Sequence, residues 1–303
     1  MSNSVALHAG ETGTTMQGFA LAVLKTLVLW VVLLLGTVLA GMLVPVDLPP
    51  PRADGPLTSG QALLVVDGLM AVALALVAGQ ARVRGVRLGV LLFAAAFAIG
   101  TIMLQLETLW FNDSLKLPLI VIGELSAVNA IQMALAAVAA ALLFRPKAAE
   151  ASPVPAKLLR RVVIMALLYV VLYYTAGFFI AWQSEAVRNY YQNGAHIPFL
   201  PTVAFQIFRG TLWALIALYI VSRLQGSLLS RALIMGVLFS VLTAAQLLFP
   251  TSFFPWAVRS AHLIEVGLSE FVYGTLVTLV MLSGAAKRPL SATSSWRLIA
   301  GKA

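Results

Sequence analysis

Residues 27–44 read LVLWVVLLLGTVLAGMLV and carry no charged side chain. An α-helix needs about 20 predominantly apolar residues to cross the hydrocarbon core of a bilayer, and buried helices of soluble domains rarely need so long an apolar run. The segment PVDLPPPRADGP follows at 45–56, and its prolines cannot continue a helix. The stretch therefore predicts a transmembrane helix over residues 19–44.

The same pattern recurs along the chain. Only 10% of the 303 residues are charged and 61% are hydrophobic, whereas a soluble domain carries about 25% charged residues. These values indicate an all-α integral membrane protein whose first partner is the lipid bilayer. Eight spans are predicted, at 19–44, 61–80, 88–106, 119–143, 162–182, 202–222, 232–249 and 259–283.

The positive residues predict the orientation. Fifteen of the 20 Lys and Arg, including Lys25 in the first span, fall on the side of the two termini, and only four fall on the other side, Arg259 among them at the membrane interface. Short cytoplasmic loops carry the excess of Lys and Arg, so both termini are expected in the cytoplasm and the chain in the cytoplasmic (inner) membrane. Because the basic residues follow the connections in this way, the net charge of +9 does not indicate a nucleic-acid partner.

The chain also looks duplicated. Residues 28–35, VLWVVLLL, resemble 167–174, LLYVVLYY, at an offset of 139. Later pairs match at an offset of 142, among them Gly68 with Gly210 and Thr101 with Thr243. Four spans per half give both halves the same orientation, as in parallel repeats. The predicted organisation is a tail at 1–18, a repeat at 19–144, a cytoplasmic linker at 145–161, a repeat at 162–283 and a tail at 284–303.

Ionisable residues form a layer in this register. Asp67 corresponds to Arg209, and Glu124 corresponds to Glu265. All four lie at a similar depth below the predicted outer boundary, at 1.5 Å of rise per residue. Charged side chains inside a membrane are costly unless they are paired, so Arg209 is expected to contact at least one of the three carboxylates.

The stretch AHLIEVGLSEFVYG at 261–274 adds polar residues to the last span. On a helix, His262, Glu265, Ser269 and Tyr273 share one face, and Glu270 lies at its edge. This face should point into the bundle, because lipid offers no hydrogen-bond partner. Because Arg209 alone faces several carboxylates, some of those groups must hold a proton, bind a cation or contact water.

The residue types exclude several chemistries. The chain has no cysteine, so thiolate metal sites, iron–sulfur clusters and cysteine nucleophiles are absent. His262 and Glu265 at i, i+3 could supply two metal ligands, but a hydrogen-bonded histidine is the simpler interpretation. No HExxH sequence, nucleophile elbow or phosphate-binding glycine loop occurs. No metal, no cofactor and no catalytic residue are predicted.

Three functions remain open. The first is a transporter for a small solute, coupled to a proton or cation, with the polar residues as its site between the two repeats. The second is a structural or regulatory membrane subunit, in which the charged layer only specifies packing. The third is an intramembrane enzyme that modifies a lipid, and it has the least support because no nucleophile or phosphate-binding group is present. The predicted polar site comprises Asp67, Glu124, Arg209, His262, Glu265, Ser269, Glu270 and Tyr273.

Overall fold

The computed structural model describes residues 3–192 and 198–283, with side chains from 16 to 191 and from 198 to 283. Within these residues the chain is all-helical, and eight helices are long and apolar enough to cross a bilayer. The protein is therefore a polytopic membrane protein in contact with lipid, as the composition predicted. His196 and the tail at 284–303 lie outside the described residues. The eight spans, numbered in chain order, are Met16–Leu43, Ser59–Gly79, Val86–Trp110, Leu119–Leu143, Leu158–Gln183, Phe199–Val221, Leu228–Leu248 and Trp256–Leu282.

Several spans begin earlier than the hydropathy pattern predicted. The first belongs to a helix, Asn3–Leu43, that includes most of the predicted tail. The fifth begins at Leu158, inside the predicted linker. The fourth, sixth and eighth spans each follow a proline, at 118, 198 and 255. A proline fixes φ near −65° and lacks an N–H, so it can precede the first helical turn without losing a helical hydrogen bond.

Three spans change helix type along their length. The third consists of Val86–Phe97, a π-helical segment Ala98–Met103 and a further α-helix Leu104–Trp110. The fifth is Leu158–Phe179 followed by the 3₁₀ turn Ala181–Gln183, and the seventh is Leu228–Ala244 followed by the 3₁₀ turn Ala245–Leu248. Two short helices, Asn112–Leu115 and Glu185–Gln192, lie in connections.

The helices pack in a regular order. The first span contacts the second and fourth, and the third contacts the fourth. The fifth contacts the sixth and eighth, the seventh contacts the eighth, and the second contacts the seventh. The seventh and eighth approach so closely that a Cβ at Gly274 would lie 2.6 Å from the carbonyl oxygen of Met235. Small residues permit such approach between membrane helices, where dispersion contacts replace the hydrophobic effect.

The two ends of the bundle have different contacts. At one end, here called the loop end, the backbone N–H of Arg52 donates to Thr251 and Tyr190 donates to the carbonyl of Phe253. At the other, here called the linker end, the N–H of Arg82 donates to Arg223 and the N–H of Ala149 donates to Arg82. Successive connections therefore alternate between the two ends.

Arg259 lies in the first turn of the eighth span, near the loop end, and its side chain is buried there. Its side chain is 1% exposed, and its Nη2 lies 2.5 Å from the Asp54 carboxylate. Nε donates to the carbonyl of Phe254 and Nη1 donates to that of Phe249. The connection at 44–58 folds over the eighth span and supplies the carboxylate, which no helical periodicity could have shown.

Candidate functional site

A cavity of about 740 Å³ occupies the half of the bundle nearest the loop end. Its walls come from the third, fifth, sixth, seventh and eighth spans and from Tyr191 on the helix Glu185–Gln192. Most of the wall thus belongs to the second half of the chain, and the third span closes it. Ten aromatic side chains line it: Phe111, Tyr169, Tyr173, Tyr174, Phe178, Trp182, Tyr191, Phe199, Phe254 and Tyr273.

Six residues of the predicted site line this cavity. They come from two helices, the sixth and the eighth spans, and the five on the eighth span belong to the helical face described above. They are Arg209, His262, Glu265, Ser269, Glu270 and Tyr273. Tyr169 and Tyr173, which are spaced i, i+4 on the fifth span, line the cavity as well.

Arg209 pairs with a carboxylate that the sequence analysis did not consider. Its Nη2 lies 2.8 Å from Oε2 of Glu107 on the third span, and its side chain is 2% exposed. Its Nη1 donates to Gln206 at 3.0 Å and its Nη2 also donates to the carbonyl of Met103. The expectation that Arg209 contacts Asp67, Glu124 or Glu265 was therefore wrong.

Glu107 was missed because the predicted third span ended at residue 106. The helix continues to Trp110, so Glu107 lies inside the span rather than in a connection. The residues Thr108, Leu109 and Trp110 after it are compatible with one more helical turn, and that is the signal which could have found it. The π-helical segment before it adds a residue to the turn and alters which side chains face the sixth span.

His262 and Glu265 form a second pair nearer the loop end. The Nδ1 of His262 lies 2.6 Å from Oε2 of Glu265, and the side chains keep 20% and 12% exposure. The hydroxyl of Tyr191 lies 3.3 Å from Nε2 of the same ring. Burial raises the pKa of Tyr191, so its hydroxyl stays neutral and can donate to this nitrogen. Both ring nitrogens therefore have partners.

Glu270 lies deeper, and its carboxylate is not ion-paired. Its side chain is 6% exposed, and Oε1 accepts a hydrogen bond from Tyr169 at 3.4 Å. Oε2 has no hydrogen-bond partner among the described residues. Tyr273 donates to the carbonyl of Gly210, and Ser269 donates to that of Val266.

The other two residues of the predicted site lie elsewhere. Asp67 lines a separate cavity of about 90 Å³ in the first half, where Gln132 donates to Oδ1 at 3.0 Å and Thr37 donates to Oδ2 at 3.2 Å. Glu124 is half-buried and lines neither cavity. The single layer of ionisable groups is thus divided among three places.

The described residues contain no group of three or more His, Asp or Glu side chains that could hold a metal ion. The large cavity instead offers a histidine–carboxylate pair, an arginine–carboxylate pair, one unpaired carboxylate and an aromatic wall. Such a site can bind a polar or charged solute through a few fixed groups within largely apolar walls. Comparisons with protein-family models, curated proteins and solved structures found no match for this chain.

Proposed function

We propose that this protein is a carrier that binds a small solute in the large cavity and moves it across the membrane. The observation that carries the proposal is the cavity itself, which Glu265 and Glu270 line within the bundle. A protein whose polar residues only specified packing would have a dry layer in which every charge is paired. Buried charges without partners are costly, and inside membranes they mark ion and substrate pathways.

The two halves are proposed to be parallel repeats, which supports a carrier built around an axis along the membrane normal. The first span meets the second and fourth, and the fifth meets the sixth and eighth in the equivalent way. Gly68 packs against Trp30, and its counterpart Gly210 packs against Tyr169. Trp30 and Tyr169 are related by the offset of 139 that the sequence predicts for these spans.

Contacts between equivalent connections support the same axis. Ala81 and Leu224 form an antiparallel bridge at the linker end. The N–H of Arg82 donates to Arg223 at 2.7 Å, and the N–H of Gln225 donates to Gln80 at 2.8 Å. Reciprocal pairing of this kind is what a two-fold relation between two similar segments produces.

The proposed orientation places the linker end in the cytoplasm and the cavity toward the outside. The linker end carries many of the basic residues, including Arg82, Arg145, Arg160 and Arg223. Trp110, Trp182 and Trp256 lie toward the loop end, where aromatic residues at a membrane interface are expected. The membrane is proposed to be the cytoplasmic one.

A structural or regulatory subunit is the second candidate, and the ion pairs favour it. Arg209–Glu107 joins the sixth and third spans, and Arg259–Asp54 fastens a connection to the eighth. Such buried pairs can specify which helices meet without binding any solute. The experiment must therefore distinguish a cavity that opens from a bundle that stays closed.

Cysteine accessibility separates the two candidates, because the natural chain has no cysteine. Ser269→Cys places a thiol in the cavity, and Thr278→Cys places one on the same helix at a position that is 0% exposed. Each variant is treated with a membrane-impermeant maleimide in right-side-out and in inverted vesicles. A carrier should label Ser269→Cys from both sides and Thr278→Cys from neither.

Labelling of Ser269→Cys from one side only would remove the carrier proposal and leave a binding protein. No labelling from either side would favour the structural subunit. Labelling of the control to the same extent as Ser269→Cys would show general unfolding.

A further inference from the structure

We propose that the ligand of the large cavity is a lipophilic organic cation, whose charged group pairs with Glu270 and whose apolar groups lie against the aromatic wall. The inference rests on the proposed function, because it specifies the solute that the carrier would bind. Three features carry it: the carboxylate of Glu270 without an ion pair, the aromatic wall and two exposed phenylalanines.

Three carboxylates line the cavity, and one of them, Glu270, has no ion pair among the described residues. Glu107 is paired with Arg209 at 2.8 Å, and Glu265 is paired with His262 at 2.6 Å. Glu270 has only the hydroxyl of Tyr169 at 3.4 Å, and its Oε2 is without a partner among the described residues. A ligand cation would supply the missing partner for this buried carboxylate, and charge-assisted hydrogen bonds are the stronger class.

Aromatic side chains along the cavity also favour a cationic ligand. Tyr173 and Trp182 line the cavity toward the loop end and keep part of their surface exposed, whereas Tyr169 and Tyr273 are buried at the deep end and the Tyr169 ring centroid lies 5.7 Å from the guanidinium carbon of Arg209. The ring quadrupole attracts a cation over the face of a Trp or Tyr ring, and aromatic walls recognise quaternary ammonium groups in this way. The wall therefore favours a cation with apolar substituents over a strongly hydrated ion.

Two apolar residues of the wall also fit such a ligand. Phe178 on the fifth span and Phe199 on the sixth line the cavity, and 63% and 65% of their surface is exposed. The cavity volume falls within the range of about 300–1,000 Å³ that holds drug-sized ligands.

One feature favours an anion instead. Arg209 lines the same cavity, and its buried Nε lacks a hydrogen-bond partner among the described residues. Both terminal nitrogens of its guanidinium are already engaged, by Glu107, Gln206 and the carbonyl of Met103. Since Glu107 already pairs with this guanidinium, Arg209 offers less to an anion than Glu270, which has no ion pair among the described residues, offers to a cation.

The test uses two probes of nearly the same size and opposite charge. Tetraphenylphosphonium and tetraphenylborate are equilibrated separately with the purified full-length protein, and bound probe is measured by equilibrium dialysis against protein-free detergent. We expect the phosphonium to bind and the borate not to bind above that background. Loss of one charge-assisted contact in Glu270→Gln should weaken binding about tenfold or more.

Two variants control the measurement. Glu124→Gln makes the same change in a half-buried carboxylate that lines neither cavity, and it should bind the phosphonium like the natural protein. Glu270→Asp keeps the charge and should retain more binding than Glu270→Gln. Each variant is used only if it elutes as a single folded species, and if Glu270→Gln misfolds, protection of Ser269→Cys from the maleimide by the phosphonium replaces it as the test.

The outcomes distinguish the ligand class from the carrier proposal. Three results would overturn the cation assignment. They are preferential binding of the borate, no binding of either probe, and equal phosphonium binding by Glu270→Asp and Glu270→Gln. If Ser269→Cys is still labelled from both sides, the carrier proposal survives that result. If the phosphonium also protects Ser269→Cys from the maleimide, the cation is located in this cavity.

Discussion

The guanidinium of Arg209 on the sixth span lies 2.8 Å from the carboxylate of Glu107 on the third span, and this pair joins the two halves of the chain beside the large cavity. Arg209 is 2% exposed and Glu107 is 32% exposed, so the pair has a dry side and a side toward the cavity. An arginine cannot discharge itself by losing a proton, so its position depends on this carboxylate.

Removal of one partner of this pair should destabilise the protein strongly. Glu107→Gln should lower the free energy of unfolding by about 3–5 kcal/mol, because it leaves the buried Arg209 without its carboxylate, and Arg209→Gln should lower it by less, because Glu107 is 32% exposed and can be hydrated. The double variant should lose less than the sum of the two. Thermal unfolding in detergent measures the effect, with the exposed Arg84→Gln as a control. Additive losses would show that the two side chains do not interact.

Arg259 should behave like a buried residue although it lies near the loop end of its span. Arg259→Gln and Asp54→Asn should each reduce the melting temperature, because the pair at 2.5 Å holds the 44–58 connection against the eighth span. Arg52→Gln, whose side chain donates only to the carbonyl of Ser252 at the surface, is the matched control. A melting temperature of Arg259→Gln equal to that of the control would contradict the burial of this side chain.

The contact between the seventh and eighth spans should tolerate no added side-chain atom at Gly274. A Cβ there would lie 2.6 Å from the carbonyl oxygen of Met235, so Gly274→Ala should separate the helices and lower stability. Gly123→Ala is the control, since nothing lies within 4 Å of its Cβ position, and by helix propensity it should be neutral or stabilising by up to about 1 kcal/mol. Similar melting temperatures for the two variants would rule out close packing at Gly274.

Reporter fusions should show that the two bundle ends lie on opposite sides of the membrane. Alkaline phosphatase fused after Pro51 or Ser114 should be active, and green fluorescent protein fused after Pro153 or Gln225 should fluoresce. The reason is the excess of Lys and Arg at the linker end, which retains these segments in the cytoplasm. The inverse pattern at all four sites would reverse the orientation, and a mixed pattern would contradict the number of spans.

The number and type of the helices followed from the sequence, because each crossing requires a long apolar run and the bilayer permits few alternatives to a helix. The polar face of the eighth span followed as well. The residues His262, Glu265, Ser269, Glu270 and Tyr273 all line one cavity, since helical periodicity places them on one side and lipid cannot satisfy them.

Which side chains pair with the charged residues was decided by the tertiary structure alone. Periodicity places Asp67 and Arg209 at one depth, but it does not specify how each helix rotates about its axis or where a π-helical segment shifts the register. In the structure Arg209 forms an ion pair with Glu107, whereas Asp67 accepts hydrogen bonds from Gln132 and Thr37 in a separate cavity. It also folds the 44–58 connection back so that Asp54 reaches Arg259, and a chain segment outside the helices has no periodicity from which that contact could be predicted.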